Sequence, residues 1–403
     1  MNQQITLEQA LERLLAVVPE AAVEQVSTLA ACGRVLAAAQ YSGLNVPPLD
    51  NSAMDGYALC TADVAAPGAR LPVSQRIPAG SLPQPLGPGS VARIFTGAPV
   101  PPGADAIVMQ ELCERDGDTV IVNHRPAAGE WIRRAGEDIR AGAEVLAAGT
   151  RLGPAEVGLA ASVGLAVLPV RAPLKVACFF TGDELVMPGE PLPPGAIYNS
   201  NRYTLRALIE GMGCVVEDFG IVPDQLDATR AVLRAAAERA DLIVTSGGVS
   251  AGEEDHIKPA VMAEGELDSW KIAIKPGRPL AFGHVRGTGR KAAFVGLPGN
   301  PVSSFVTFLL LVRPLILKMA GCSAVLPAAR SMEAAFDWPK PDARREFLRA
   351  RVTAGGTLEL FPNQSSGVLT SMAWADGLID NPPGHAIVRG ERVRFLAFSD
   401  LLK

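Results

Sequence analysis

Residues 241–258, DLIVTSGGVSAGEEDHIK, place a pair of glycines between an apolar run and three consecutive carboxylates. Residues 242–245 are apolar and rich in β-branched side chains, which predicts a strand buried on both faces of a parallel sheet. The glycine pair that follows lets the backbone turn and bring its N–H groups close to an anion. We therefore expect a phosphate cradle formed by Ser246, Gly247, Gly248 and Ser250. A glycine turn followed by a solvated acidic loop is the simpler interpretation of this stretch taken alone.

The carboxylates beside the cradle require a cation if a phosphate is to bind there. Glu253, Glu254 and Asp255 follow the glycines closely, and Mg²⁺ is commonly held by one or two carboxylates together with phosphate oxygens. Glu184, in the segment TGDE, follows another predicted strand at residues 174–180. Because ligands of doubly wound sheets bind outside the carboxyl ends of the strands, we expect Glu184 and Asp255 to hold Mg²⁺ against a phosphate or pyrophosphate.

Two further segments should lie at the same edge of the predicted sheet. Asp224 follows a predicted strand at residues 215–222, and the segment GLPGNP at residues 296–301 precedes a predicted helix. Both therefore belong to the set of strand-end residues that can contact a ligand. From the second segment we expect contacts by Gly299, Asn300 and Pro301.

Cations are predicted beside these acids. The segment WKIAIKPGRP, residues 270–279, is punctuated by glycine and prolines and predicts a loop that offers Lys271, Lys275 and Arg278. The formal net charge of the chain is −5, so an anion must be attracted by local cations of this kind.

The elements that must position these residues alternate between strand and helix. Besides the strands already named, helices are predicted at about residues 201–212 and 225–240, which indicates a doubly wound α/β domain. Ser200 is the predicted N-cap of the first helix. The apolar run at residues 305–319 is too short for a bilayer and contains Arg313, so it predicts a buried helix.

The chain is too long for one hydrophobic core, and its texture suggests four parts. Residues 173–325 form the α/β part. Residues 41–140 are punctuated by proline and glycine and predict a β-rich domain. Residues 1–40 and 141–172 together predict a helical linking domain, and residues 326–403 a small C-terminal β domain resembling a barrel. The first helix, at residues 5–18, should begin with a capping box of Thr6 and Gln9.

Composition excludes several classes of function. Hydrophobic residues make up 48% of the chain and charged residues 20%, as in globular proteins. The negative net charge gives no attraction to nucleic acid or acidic membranes, so we expect neither as a partner. Six cysteines and four histidines show no metal-ligand spacing, which makes zinc and disulfide interpretations weak. The N-terminal residues lack a secretory pattern, and a cytoplasmic protein is expected.

Three polar segments interrupt the β-rich part. They are NSAMDGYA, FTGAPVPPGAD and AGEDI, which contain Asp55, Thr96 and Asp138, respectively. Each by itself is best interpreted as a tight turn whose side chain bonds its own backbone. Their joint occurrence favours a function.

Seven motifs occur in the order found in molybdopterin molybdenumtransferases, the family that includes the C-terminal domain of gephyrin: SAMDGYA, FTGAP, AGEDI, TGDEL, TSGGVSAGEED, WKIAIKPGRP and GLPGNPVS. The resemblance covers nearly the whole chain. It implies an α/β domain of the molybdopterin-binding type and a Mg²⁺-dependent transferase. Such an enzyme inserts molybdate into adenylylated molybdopterin and releases AMP.

The resemblance also implies roles for individual residues. The chain departs from the family pattern at Arg278, where lysine is common, and at Glu254; Arg278 can change how a phosphate binds, because arginine and lysine are not interchangeable there. The positions that match the functional residues of the family are Asp55, Thr96, Asp138, Glu184, Asp224, Asp255, Lys271, Lys275, Arg349 and Ser366.

Finally, the resemblance implies a homodimer whose site is shared between protomers, and a possible adenylyltransferase partner. Two alternatives remain open. An adenylyltransferase-like enzyme of the same pathway resembles residues 173–325 alone, but it would leave Asp55, Thr96 and Asp138 without a purpose. A non-catalytic scaffold of the gephyrin type is the other alternative, and the retained acids favour the enzyme.

Overall fold

The fold is organised around a mixed seven-stranded sheet. The computed structural model describes residues 4–16, 19–249 and 256–402. Four neighbouring strands run parallel, two antiparallel strands follow on one side, and a short N-terminal strand completes that edge. The predicted α/β fold is confirmed, with an antiparallel addition that the sequence pattern did not indicate. In sheet order the strands are Gln4–Ile5, Gly265–Ile272, Pro279–Gly287, Arg290–Leu297, Leu242–Ser246, Lys175–Thr181 and Val215–Val222.

Helices cover both faces of this sheet because its central strands carry apolar side chains on both sides. Phe180 of the strand Lys175–Thr181 enters one core, and its neighbour Phe179 enters the other. The sheet is therefore doubly wound. The helices on the face of Phe180 are Leu7–Ala16, Ser200–Gly211 and Pro301–Met319, and those on the opposite face are Leu226–Arg239 and Ile257–Glu264.

The N-terminal helix packs on this sheet and not on residues 141–172, with which its sequence was grouped. The strand Gln4–Ile5 pairs in parallel with the strand Gly265–Ile272. Leu14 of the following helix is buried in the same core as the sheet. The amphipathic pattern predicted the helix, but it contained no information about the surface that the helix would cover.

The helix Pro301–Met319 is a core element. Within the described residues it is the one helix long and apolar enough to cross a membrane, and 89% of its most apolar 18-residue window is buried inside the protein. Arg313 lies within it, nearly buried, and its guanidinium donates to the backbone oxygens of Val325 (3.3 Å) and Asp400 (3.0 Å). The predicted buried helix is confirmed, with a π-helical turn at Phe308–Val312.

Residues 23–41 and 144–171 form a small layer beside the sheet. Its core includes Ala160 and Leu168, both fully buried. Short antiparallel pairs bring the two stretches together although more than 100 residues separate them. The elements are Val23–Ser27 with Val167–Arg171, Gln40–Tyr41 with Glu144–Leu146, and the helix Pro154–Ser162.

The β-rich segment between these stretches contains a six-stranded sheet, as the alternating pattern predicts. Its core includes Tyr57, Leu59 and Val91. Alternate residues of its short strands face this core, so the turns between the strands are left to carry polar residues. In sheet order the strands are Ala106–Met109, Gly56–Leu59, Val91–Ile94, Ala69–Ile77, Thr119–Val122 and Cys113–Asp116.

The C-terminal residues form a small closed sheet. Leu358–Leu360 pairs with Arg345–Val352. A parallel bridge between Leu358 and Ala334, which directly follows the strand Arg330–Glu333, closes the sheet. This closure gives the barrel character expected from the sequence. In sheet order the remaining strands are Ile274–Lys275, Arg345–Val352, Gly377–Asn381, Arg392–Ala397 and Arg330–Glu333.

Residues 270–279 are mostly strand and not the loop that their prolines indicated. Lys271 lies in the strand Gly265–Ile272 of the α/β sheet. Lys275 lies in the two-residue strand Ile274–Lys275, which pairs in parallel with Arg345–Val352 of the C-terminal barrel. This segment therefore joins the α/β sheet to the barrel.

Two helix starts follow the capping rules, one of them with a correction. Gln9 N–H donates to Thr6 Oγ1 (3.2 Å) and Thr6 N–H donates to Gln9 Oε1 (3.0 Å), which confirms the predicted capping box. The N-cap of Ser200–Gly211 is Asn199 and not Ser200, because Asn199 Oδ1 accepts from the Arg202 N–H (3.1 Å).

Candidate functional site

A cleft of 1090 Å³ opens at the carboxyl ends of the parallel strands, where ligands of doubly wound sheets bind. Its walls come from the α/β sheet, two helix N-termini and the C-terminal barrel. The predicted site residues that line it are Glu184, Asp224, Ser246, Gly247, Gly248, Lys275, Arg278, Gly299, Asn300, Pro301 and Ser366. The predicted site residues that do not line it are Asp55, Thr96, Asp138, Lys271 and Arg349. Ser250 and Asp255 lie outside the described residues.

The glycine turn forms the floor of the cleft, and its geometry requires both glycines. Gly247 has φ +100° and Gly248 has φ +61°, a region that strains other residues. A Cβ on Gly247 would lie 2.7 Å from the Thr181 carbonyl oxygen, and one on Gly248 would lie 2.6 Å from Ile257 Cγ1. The Gly247 N–H donates to the Leu297 carbonyl (3.2 Å), so this N–H, expected to face a phosphate, is already engaged.

Ser246 holds the glycine turn in place through hydrogen bonds of its side chain. Its buried hydroxyl donates to the Pro298 carbonyl (2.9 Å) and accepts from Asn201 Nδ2 (2.9 Å). The same amide donates to the Gly299 carbonyl (2.7 Å). Asn201 therefore ties the glycine turn to the segment GLPGNP. Sequence reasoning missed Asn201 because it treated the residue as part of a helix; its place in the first turn of that helix, at the predicted strand-end edge, was the available signal.

Two helices begin at the wall of the cleft. Asn199 and Ser200 line it at the start of Ser200–Gly211, and Asn300 lines it at the start of Pro301–Met319. The first N–H groups of a helix lack partners within the helix, and the helix dipole adds positive potential there. Two such ends in one cleft favour an anionic ligand.

Glu184 and Asp224 are the described carboxylates that line the cleft. Glu184 folds back over the turn after its strand, so that its Oε2 would lie 2.6 Å from a Cβ placed on Gly182. No group of three or more His, Cys, Asp or Glu side chains in the described ranges could hold a metal ion. Mg²⁺ needs only one or two carboxylates when phosphate oxygens complete its shell, so this donor set fits Mg²⁺ bound together with a phosphorylated ligand.

Three cations line the cleft, and they differ in their partners. The exposed Arg278 side chain has no hydrogen bond or ion pair among the described residues. Lys275 Nζ lies 3.4 Å from Asp342 Oδ2 and 3.3 Å from Glu346 Oε1. Arg344 donates to Asp342 through Nε and Nη2, both at 2.9 Å. Lys275 thus pairs with acids of the barrel and not with the acids of the cleft, and Arg344 was not predicted from sequence.

The C-terminal barrel contributes the loop at residues 363–367. Ser366 lines the cleft, and its hydroxyl accepts from Asn300 Nδ2 (3.1 Å). Arg349 is almost fully buried beneath this loop and donates to the Ser365 carbonyl (3.2 Å) and to Ser371 Oγ (3.1 Å). Burial lowers the pKa of Arg349 to about 10. Arg349 therefore supports the loop that carries Ser366 and does not itself line the cleft.

A second group of predicted residues lies on the β-rich segment. Asp55 Oδ1 accepts from the Thr96 N–H (2.8 Å) and from the Thr96 hydroxyl (2.7 Å). The backbone bond, followed by the hydroxyl bond, holds the pKa of Asp55 below its usual value. The motifs NSAMDGYA and FTGAP therefore form one unit with an ionised carboxylate.

Asp50 links the third motif, AGEDI, to this unit through hydrogen bonds. Its carboxylate accepts from Arg134 Nη1 (2.6 Å) and from the Ala135 N–H (2.8 Å), immediately before the segment that carries Asp138. Asn51–Ser52, next along the chain, pairs with Ile132–Arg133. Sequence reasoning missed Asp50, although it directly precedes the motif NSAMDGYA. We name the set of Asp55, Thr96 and Asp138 the acidic loop cluster.

Fold and cleft together define a multidomain α/β protein with a cleft suited to an anionic ligand at the carboxyl edge of its parallel strands. Three family models match the chain: the MoeA N-terminal region (domain I and II) at residues 5–164, a probable molybdopterin binding domain at residues 177–318, and the MoeA C-terminal region (domain IV) at residues 331–398.

Relatives agree with these matches. The molybdopterin molybdenumtransferase of Haemophilus influenzae is 43% identical over 79% of this chain and 78% of its own length, and that of Bacillus subtilis is 33% identical over 94% and 90%. A crystal structure of a molybdopterin biosynthesis MoeA protein from Pyrococcus horikoshii superposes with a TM-score of 0.85 at 29% identity, covering 98% of this chain and 100% of that one. The chain belongs to the molybdopterin molybdenumtransferase family and is a transferase of molybdenum cofactor biosynthesis.

Proposed function

We propose that this protein inserts molybdate into adenylylated molybdopterin in a Mg²⁺-dependent reaction that releases AMP. The observation that carries the proposal is the cleft, where two helix N-termini and the exposed cation Arg278 meet the carboxylates Glu184 and Asp224 at one sheet edge. A substrate with a pyrophosphate needs donors and positive potential for its oxygens. Family membership supports molybdenum insertion as the outcome.

The carboxylates supply the charge that a divalent cation requires. Glu184 would hold Mg²⁺, with Asp224 from the neighbouring strand end as a further oxygen donor and Asp255 as the second ligand expected from the sequence. Bound Mg²⁺ would neutralise charge on the phosphate oxygens. The described lining of the cleft contains carboxylates but no thiolate or imidazole, and such hard oxygens suit Mg²⁺ better than they suit zinc.

The residues of the chain itself orient the substrate. N–H groups in the first turns of the two helices, such as those of Ser200 and Ser303, can donate to phosphate oxygens, and Arg278 can donate from the rim. Gly247 and Gly248 keep the floor free of side chains, so that a ligand can approach the backbone closely. Positioning and charge neutralisation are the usual contributions of a protein to reactions at phosphorus.

We also propose a homodimer in which the acidic loop cluster of one protomer completes the cleft of its partner. Support comes from the position of this cluster, which holds an ionised Asp55 but contributes no lining residue to the cleft of its own chain. A cis arrangement would require the two segments to meet within one chain. An adenylyltransferase would have to supply the adenylylated substrate and is therefore an expected partner.

The test is a single-turnover assay with purified protein, adenylylated molybdopterin, molybdate and Mg²⁺. We expect AMP release that requires both molybdate and Mg²⁺. Formation of adenylylated molybdopterin from ATP and molybdopterin, with pyrophosphate as product, would instead favour the adenylyltransferase-like alternative. A folded protein that catalyses neither reaction would favour the scaffold alternative.

A further inference from the structure

Lys275 belongs to the cleft and to the barrel at the same time. Its strand Ile274–Lys275 pairs with Arg345–Val352 of the barrel, while its side chain lines the cleft. We propose that Asp342 and Glu346 compete with the anionic ligand for Lys275 and so determine how much negative charge a ligand must carry to bind strongly. This inference rests on the proposed function, because it concerns how the same cleft binds its anion.

The contacts of Lys275 are weak enough to be exchanged. Its Nζ lies 3.4 Å from Asp342 and 3.3 Å from Glu346, whereas strong charge-assisted N–H···O bonds are roughly 2.7–2.9 Å long. The side chain is 40% exposed. An ammonium group at this distance and exposure can turn toward a ligand phosphate, at a cost that is small for the partly exposed Asp342 and larger for the buried Glu346.

Asp342 keeps stronger donors when Lys275 leaves. Arg344 donates to it through two nitrogens at 2.9 Å, and the Arg344 N–H donates to it at 3.0 Å. These bonds hold the pKa of Asp342 well below its usual value. Asp342 is therefore a permanent carboxylate that attracts Lys275 without depending on it.

Glu346 shows the same arrangement from the interior of the barrel. Its carboxylate is fully buried and accepts from Trp338 Nε1 (2.8 Å) and from Asn381 Nδ2 (3.4 Å). These donors come from the barrel and remain in place if Lys275 moves. They keep one oxygen of Glu346 hydrogen-bonded, while its second oxygen faces Lys275 (3.3 Å).

The two carboxylates therefore lower the affinity of the cleft for anions, because a ligand must attract Lys275 more strongly than they do. A monoanion near Lys275 offers less attraction than two fixed carboxylates, whereas a pyrophosphate carries several charges and interacts in proportion to them. Arg278, which has no partner in the described chain, can attract a ligand whether or not Lys275 leaves its two carboxylates. Asp342 and Glu346 are thus specificity-determining residues of the cleft.

The test measures binding of inorganic pyrophosphate by titration calorimetry for the wild type, Asp342→Asn and Glu346→Gln. Each substitution releases Lys275 from one competitor, so we expect affinity to rise roughly two- to fivefold for Asp342→Asn and by more for Glu346→Gln, whose carboxylate is buried. Glu346→Gln keeps an oxygen for Trp338 Nε1 and is the independent variant if Asp342→Asn loosens Arg344. Melting temperatures establish that each protein is folded.

A second background separates competition from a general change in charge. In Lys275→Ala protein the same substitutions should leave pyrophosphate affinity unchanged, since the group for which the acids compete is gone. Glu359→Gln removes the ion-pair partner of Arg351 on the barrel surface and should change nothing in either background.

Two outcomes would overturn the inference. One is an unchanged or weaker affinity in folded Asp342→Asn and Glu346→Gln proteins. The other is a gain that persists without Lys275. Failure of every one of these proteins to bind pyrophosphate would overturn the proposed function as well, whereas wild-type binding with unresponsive variants would overturn only the competition.

Discussion

The cleft and the acidic loop cluster hold their charged residues by different means. The cleft gathers residues from distant segments at the edge of one sheet, and its carboxylates share the space with two helix N-termini and with Arg278. The cluster instead relies on short backbone pairs and on local donors, as Thr96 donates to Asp55. The cleft therefore has the positive potential to bind an anion, and the cluster holds carboxylates in a fixed place.

This difference indicates a division of labour. A cleft with both signs of charge can bind a phosphorylated ligand by itself, while a cluster of acidic residues cannot attract one. We infer that loss of a cleft residue affects binding and turnover together, and that the cluster contributes only after the two sites meet.

Substitution Glu184→Gln should cause the largest loss. It keeps the shape of the side chain but removes a charge from the cleft, and we expect molybdate-dependent AMP release to fall on the order of 100-fold with an unchanged melting temperature. The control is Glu190→Gln, which neutralises an exposed acid of the same loop and should retain activity. Near wild-type turnover in Glu184→Gln would remove this residue from the site.

Mixed dimers test whether cleft and cluster meet between protomers. We expect Asp55→Ala and Glu184→Ala proteins to be inactive alone and to recover about a quarter of wild-type activity when mixed, because half of the randomly paired dimers would carry one intact site of two. Differently tagged proteins, isolated by sequential pull-down, establish that protomers have exchanged. Exchanged dimers that stay inactive would argue against a site shared in trans.

Glycine substitutions compare how tightly the two regions are packed. Gly248 in the cleft and Gly97 in the cluster both have positive φ, but a Cβ would collide with Ile257 only at Gly248 and meets open space at Gly97. We expect Gly97→Ala to lower the free energy of unfolding by about 1 kcal/mol and Gly248→Ala by roughly 1–3 kcal/mol more. Urea unfolding measures both, and equal losses would contradict the packing difference.

The smallest effect concerns pH. The Thr96 bonds lower the pKa of Asp55, so its ionised form persists above that lowered value and is lost as pH falls through it. Thr96→Val removes the hydroxyl donor and should move the acid limb of the pH–rate profile upward by less than about one unit. Thr96→Ser keeps the hydroxyl and should leave the limb in place. A downward shift in Thr96→Val would contradict an ionised Asp55.

Much of the cleft could be predicted because its residues follow recognisable strands. Buried parallel strands read as short apolar runs, and the residues directly after them must lie at one edge of the sheet. Glu184, Asp224 and the pair Gly247 and Gly248 all occupy that edge. The strand Val215–Val222 has the bounds that its sequence predicts, and Leu242–Ser246 extends one residue beyond the predicted range 242–245.

Side-chain contacts between residues far apart in the sequence could not be predicted in this way. Lys275 was expected to balance the acids of the cleft, but it contacts Asp342 and Glu346, which lie about 70 residues further along the chain. Arg349 was expected at the ligand, but it lies beneath the loop that carries Ser366. The sequences around Lys275 and Arg349 do not indicate on which side of the barrel wall these long side chains will lie.

The sequence by itself determined the kinds of elements, their order, and the chemical types gathered at the sheet edge, because periodicity, capping residues and glycine turns act over a few residues. The tertiary structure decided which charges meet. It placed the N-terminal helix on the α/β sheet, engaged the Gly247 N–H with the Leu297 carbonyl, and paired Lys275 with the barrel. These contacts depend on the pairing of strands far apart in the chain, and such pairing is selected by the packing of the whole molecule and not by any short stretch of it.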